Sequence, residues 1–136
     1  MVETIDIDQL RQLIGKHPNL SAADSLLKEM QVLSVTGLHG SSRALFAGEL
    51  FYRQPRTYLY ILNDAETAGY FYHDLTQMMG STDILFFPSA YKRAAKYGQI
   101  DRANEVLRAG VLSSLQGGSG PQIIVSYPDA LAEKTV

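Results

Sequence analysis

"TYLYILNDAETAGYFYHDLTQMM", residues 57–79, decides the fold. Its first seven residues, 57–63, are dense in strand formers, and Tyr58 and Tyr60 share one face of the strand they predict. The period then changes. Ala68, Phe71, Leu75 and Met78 fall on one helical face, which predicts a helix as far as about Met79. Asn63 and Glu66 have capping spacing at its start. A strand feeding directly into an amphipathic helix is half of a crossover unit.

The unit recurs on both sides. "DILFF" (83–87) reads as a strand stopped by Pro88, and 101–115 as a helix with Ala103, Leu107 and Val111 in line. "GGSGP" (117–121) is a turn, "QIIVS" (122–126) a strand, and "PDALAEKTV" (128–136) opens another helix. Upstream, "QVLSV" (31–35) reads as a buried strand and "SRALFAGELFYR" (42–53) as a helix apolar on most of its surface. Crossover connections are right-handed, so this alternation predicts parallel strands with helices on both faces. The expected fold is α/β: a doubly wound, mainly parallel sheet of about four strands spanning 31–136. Residues 1–30 add two helices. Ile7, Leu10 and Ile14 line the first behind Asp6 and Gln9, and Ser21 with Asp24 has capping-box spacing for the second.

Composition narrows the function classes. The chain has 136 residues, the size of one domain with one core, and 46% are hydrophobic. A net charge of −2 gives no bulk attraction for a polyanion. There is no cysteine, hence no disulfide, thiol nucleophile or cysteine-ligated zinc. "MVETIDIDQL" is acidic and amphipathic, unlike a signal peptide, and no apolar run approaches the roughly 18 residues of a membrane span. A cytoplasmic location without membrane contact is the expectation.

Ligands of such sheets bind beyond the C-terminal strand ends, which draws attention to loops 36–42, 63–64, 88–91 and 126–129. The first contains "GLHGSSRA" (37–44) between a strand-like and a helix-like run. A phosphate loop reads G-x-x-x-x-G-K-[ST]. Aligned from Gly37 through Gly40 and Ser41, Ser42 stands at the second glycine, Arg43 at the lysine and Ala44 at the magnesium-binding hydroxyl. A serine where positive φ is needed is strained, arginine does not substitute for lysine in a tight loop, and alanine offers a metal nothing. Hydrolysis is not expected. Two readings stay open on these residues: an ordinary glycine turn, or weak anion binding at the helix start.

Other constellations are weaker. His39, Ser41 and Ser42 do not have nucleophile-elbow spacing. His17, His39 and His73 form no H-x-x-x-H pair, so no metal site is expected. "YKRAAKY" (91–97) places Lys92, Arg93 and Lys96 between tyrosines, a lesser candidate for a weak, salt-sensitive DNA contact. Arg102 and Arg108 could extend it, although Asp101 and Glu105 dilute it.

A wider likeness exists. "GLHGSSRALFAGELFYR", "YLYILNDAETAGYFYHDL", "ILFFPSAYKRAAKYGQIDRANEVLRAG" and "IIVSYPDALAEKTV" together resemble the N-terminal region of bacterial transcription-repair coupling factor over roughly residues 31–136. That region is similar to excinuclease B of nucleotide excision repair, whose corresponding loop is an intact phosphate loop. The resemblance implies a non-catalytic scaffold segment with a degenerate loop, part of a much longer protein. The parent's motor would use ATP and magnesium to translocate on DNA. Its contacts with RNA polymerase and excinuclease A would lie mainly elsewhere. The segment itself would need no cofactor, and its partners would be other domains of the parent. Arg43 would fill the vacated pocket, pairing with a local carboxylate or helix carbonyls.

Overall fold

The computed structural model describes residues 6–80, 83–91 and 99–134. Among these, helices α1 (Ile7–Gly15), α2 (Pro18–Glu29) and α3 (Ser42–Arg53) precede strand β1 (Tyr58–Ile61). Then α4 (Ala65–Met79), β2 (Ile84–Phe86), α5 (Arg102–Gln116), β3 (Ile123–Ser126) and α6 (Pro128–Ala132) alternate. The 57–79 stretch is thus β1 and α4.

Local chemistry sets the helix ends. α2 begins at Pro18, where a missing N–H costs no helical bond. His17 caps it, its Nδ1 accepting from the Asn19 N–H at 3.2 Å. Ser21 and Asp24 therefore lie inside α2, not at its start. Asp24 instead accepts from Gln54 Nε2, tying α2 to the end of α3. The cap of α4 is Asp64 rather than Asn63: its carboxylate accepts from the Thr67 N–H at 2.8 Å. Gly80, at φ 55, ends α4 in the left-handed conformation that glycine adopts without strain.

The strands are all parallel, in the order β1-β3-β2. Their register aligns Tyr58, Ile123 and Ile84, and two residues on Tyr60, Val125 and Phe86. Side chains alternate across a sheet, so these six share a face. That face meets α3 and α4. The Tyr60 ring lies 5.2 Å from Phe71, Phe86 lies 5.3 Å from Tyr72, and Tyr58 lies 6.3 Å from Phe51. The opposite face carries Leu59, Ile61, Leu85, Ile124 and Ser126, and continues to Phe87. There α5 covers the β2 side, with the Arg108 guanidinium 4.1 Å over the Phe87 ring. Helices therefore flank both faces, and β3, the central strand, is buried along its whole length.

The sheet has three strands, not about four. Residues 31–35, expected as a buried strand, form no ladder, and Val32 and Val35 are 79% and 44% exposed. β-branched residues make a strand only against a neighbour, and no described residue supplies one. The segment runs instead along an open groove of about 620 Å³ lined by Leu20 and Leu26 of α2 and Phe46 of α3.

α3 is the keel for the N-terminal helices. Arg11 of α1 pairs with Glu49 at 3.2 Å and lies 4.0 Å over the Tyr52 ring. On its other side α3 meets α4 closely: a methyl placed on Gly48 would sit 3.4 Å from Met79 Sδ. No helix among the described residues is long and apolar enough to cross a membrane.

Candidate functional site

The glycine loop is closed by its own atoms. Gly37 and Gly40 take positive φ, 85° and 53°. No described non-glycine residue does, so the strain expected at Ser42 is absent. Ser42 opens α3 instead. Its Oγ accepts from the His39 N–H at 2.8 Å and donates to the His39 carbonyl at 2.7 Å. The Ser42 and Arg43 N–H groups donate to His39 and Gly40 carbonyls at 3.2 and 3.3 Å. A phosphate loop aims such donors at its ligand. Here the N–H groups of His39, Ser42 and Arg43 already have partners inside the turn.

Electrostatics point the same way. Ser41 Oγ donates to Asp74 Oδ2 of α4 at 2.9 Å, which holds a carboxylate against the loop. An incoming phosphate would meet that charge in a cleft of about 460 Å³, lined also by Arg43, Thr67 and Tyr70. Arg43 is exposed, and its Nε donates to the Leu38 carbonyl at 3.3 Å. Arg43 therefore does not fill the pocket on a carboxylate or a helix carbonyl, as expected above. Asp74 is held by Ser41, and the carbonyl that Arg43 reaches belongs to the loop. Ala44 is 1% exposed, its methyl part of the core.

The hydroxyls of Ser41 and Ser42 are thus bonded to Asp74 and to the His39 backbone. Neither forms a nucleophile–base pair with the His39 ring. Among the described residues no three His, Cys, Asp or Glu side chains gather as a metal site requires.

The other strand ends are tied by a network around Arg108. Arg108 is 6% exposed, so it is not part of a basic surface with residues 91–97. It donates to the Pro88 and Ala130 carbonyls at 2.9 and 2.8 Å and pairs with Glu133 at 3.5 Å. Glu133 in turn accepts from Ser89 Oγ and from the Ala90 N–H at 2.9 Å. The Ser89 N–H donates to Tyr127 Oη at 2.7 Å, and Asn104 Nδ2 to the Ser89 carbonyl at 2.9 Å. Ser126, fully buried, donates from Oγ to the Phe87 carbonyl at 2.8 Å. The 88–91 loop is held from α5, β3 and the end of α6 together. Lys92, Arg93 and Lys96 lie outside the described residues. Composition did not single out Glu133 or Tyr127. Arg108 carried a signal: it lies four residues from Asn104 and three from Val111, on the inward face of α5.

Comparison with protein-family models, curated proteins and solved structures gave no match.

Proposed function

We propose that this chain is a non-catalytic scaffold module of the excinuclease-B-like kind that opens transcription-repair coupling factors. The support is twofold. Four quoted stretches of its sequence resemble that region, and its glycine loop has the outline of a nucleotide site without the means to hold a nucleotide. The observation that carries the reading is the Ser42 hydroxyl. It takes the His39 N–H and returns a bond to the His39 carbonyl, so the loop is closed on itself.

In this reading the module works by contact with other domains of a longer protein, in the cytoplasm. Excinuclease A and RNA polymerase are reached through that protein, and ATP and magnesium belong to its motor. The fold that goes with it is a doubly wound sheet of about four strands, residues 31–35 being the fourth. Weak DNA contact through Lys92, Arg93 and Lys96 is a minor part.

The competing reading is a small α/β enzyme using Gly37–Arg43 as an atypical phosphate loop. The Asp74 carboxylate at the loop and the methyl of Ala44 disfavour it. Titration with labelled ATP and magnesium separates the two. The scaffold reading expects no saturable binding below about 1 mM, and saturation in the micromolar range would defeat it. Combined Ser42→Gly, Arg43→Lys and Ala44→Thr substitution is expected to leave the chain without ATP turnover, since no acidic D-E pair follows an apolar strand in the sequence.

A further inference from the structure

We propose that residues 31–35 close onto the outer edge of β1 as a fourth parallel strand, a strap that the fold holds ready beside its open sheet edge. Such closure involves the sheet alone and stands whether or not the loop at 37–44 binds a ligand.

The edge is open. β1 pairs only with β3. The N–H groups of Tyr58 and Leu62 donate to Gln122 and Ser126 of the β3 side, both at 2.9 Å. Bonding alternates along a strand, so the N–H groups of Leu59 and Ile61 project away from β3. The side chains of these two residues are 51% and 56% exposed. Strand edges in stable proteins are guarded by charge, proline or a bulge, and Tyr58–Ile61 has none of these.

The strap has the right composition and shape. It contains Val32 and Val35, and it runs without helix or turn from Val32 up to the glycine loop. No backbone hydrogen bond links it to another described residue.

Topology selects the place. β1 connects through α4 to β2, which lies on the far side of β3. α3 lies on the same sheet face as α4, because Phe51 meets Tyr58 on the face where Phe71 meets Tyr60. Two right-handed crossovers on one face must advance in the same direction. A strand that enters β1 through α3 therefore lies on the side of β1 opposite β3, which is the open edge. It also runs parallel to β1. α3 returns to the start of β1 with Phe51 against Tyr58, and the strap leads into the other end of α3. Closure would convert an open three-stranded edge into a paired one and anchor the loop at 37–42.

Amide exchange followed by NMR tests this on the intact chain. The Leu59 and Ile61 amides, and alternate amides within 31–35, are expected to exchange at least about 100-fold more slowly than an unstructured chain. Free exchange at Leu59 and Ile61, with Tyr60 and Val125 protected, overturns the proposal. So does protection that grows with protein concentration alongside dimer formation, which would assign the edge to a second copy. Of the adjacent variants Ser34→Pro and Val35→Pro, one removes an inward N–H. That one is expected to release Leu59 and Ile61 while Tyr60 stays protected and reports an intact fold. Unchanged protection in both variants contradicts the strap. The wild-type measurement decides even if neither variant folds.

Discussion

Replacing Arg108 by leucine tests whether this arginine is a structural clamp or a surface charge. The change removes two short bonds to the Pro88 and Ala130 carbonyls and the ion pair to Glu133. Breaking a buried ion pair from one side costs about 3–5 kcal/mol. Two features favour the lower end. Glu133 keeps Ser89 and Ala90 as donors, and leucine retains apolar cover over Phe87. A loss of about 3 kcal/mol is expected, a large part of the roughly 5–15 kcal/mol that stabilises a domain. With a urea slope of about 2 kcal/mol per molar, the midpoint should fall by about 1.5 M. Far-ultraviolet circular dichroism reads this directly, and tyrosine fluorescence supports it in a chain without tryptophan. Arg43→Leu, at an exposed arginine, should move stability by no more than about 0.5 kcal/mol. Arg108→Lys should recover less than half of the loss, because one ammonium cannot serve both carbonyls and the Phe87 face. A midpoint shift for Arg108→Leu no larger than that for Arg43→Leu would refute the clamp.

Two further outcomes are expected. Tyr60 Oη is buried with no hydrogen-bond partner among the described residues, so Tyr60→Phe should stabilise the protein by about 1 kcal/mol in urea titrations at neutral pH. Burial, then the neighbouring Tyr58, pushes the Tyr60 hydroxyl well above its ordinary value of 10.0. The folded state thus keeps a proton that the unfolded chain releases. The contribution is present below pH 10 and is lost above it at about 1.4 kcal/mol per pH unit. The gap between variant and wild type should therefore widen through alkaline titration, and parallel curves would contradict it. Asp64→Ala should cost about 1 kcal/mol through loss of the α4 cap, while Asn63→Ala should be near neutral. Equal losses at both positions would mean the cap is misassigned.

What could be read in advance divides by range. β1, α4, β2, α5 and β3 follow from periodicity, because each buried face is written in its own segment. The cap of α4 was off by one residue because Asn63 and Asp64 are both good caps, and only backbone geometry selects between them. Residues 31–35 have strand composition, but pairing depends on an edge elsewhere in the chain. At the loop, the missing lysine and hydroxyl were legible, whereas the route of the Ser42 hydroxyl back to His39 was not. Asp74 entered the loop from α4, 33 residues away from Ser41. Arg108 looked like surface charge because the carbonyls it satisfies lie 20 and 22 residues distant.

The seam between α3 and α4 has an evolutionary reading. A methyl at position 48 would already meet the sulfur of Met79 at 3.4 Å, so a larger residue there requires a smaller one at 79. Across descendants of this chain the two positions should drift as a pair, one shrinking when the other grows. A lineage that enlarged 48 alone would have had to prise its two central helices apart.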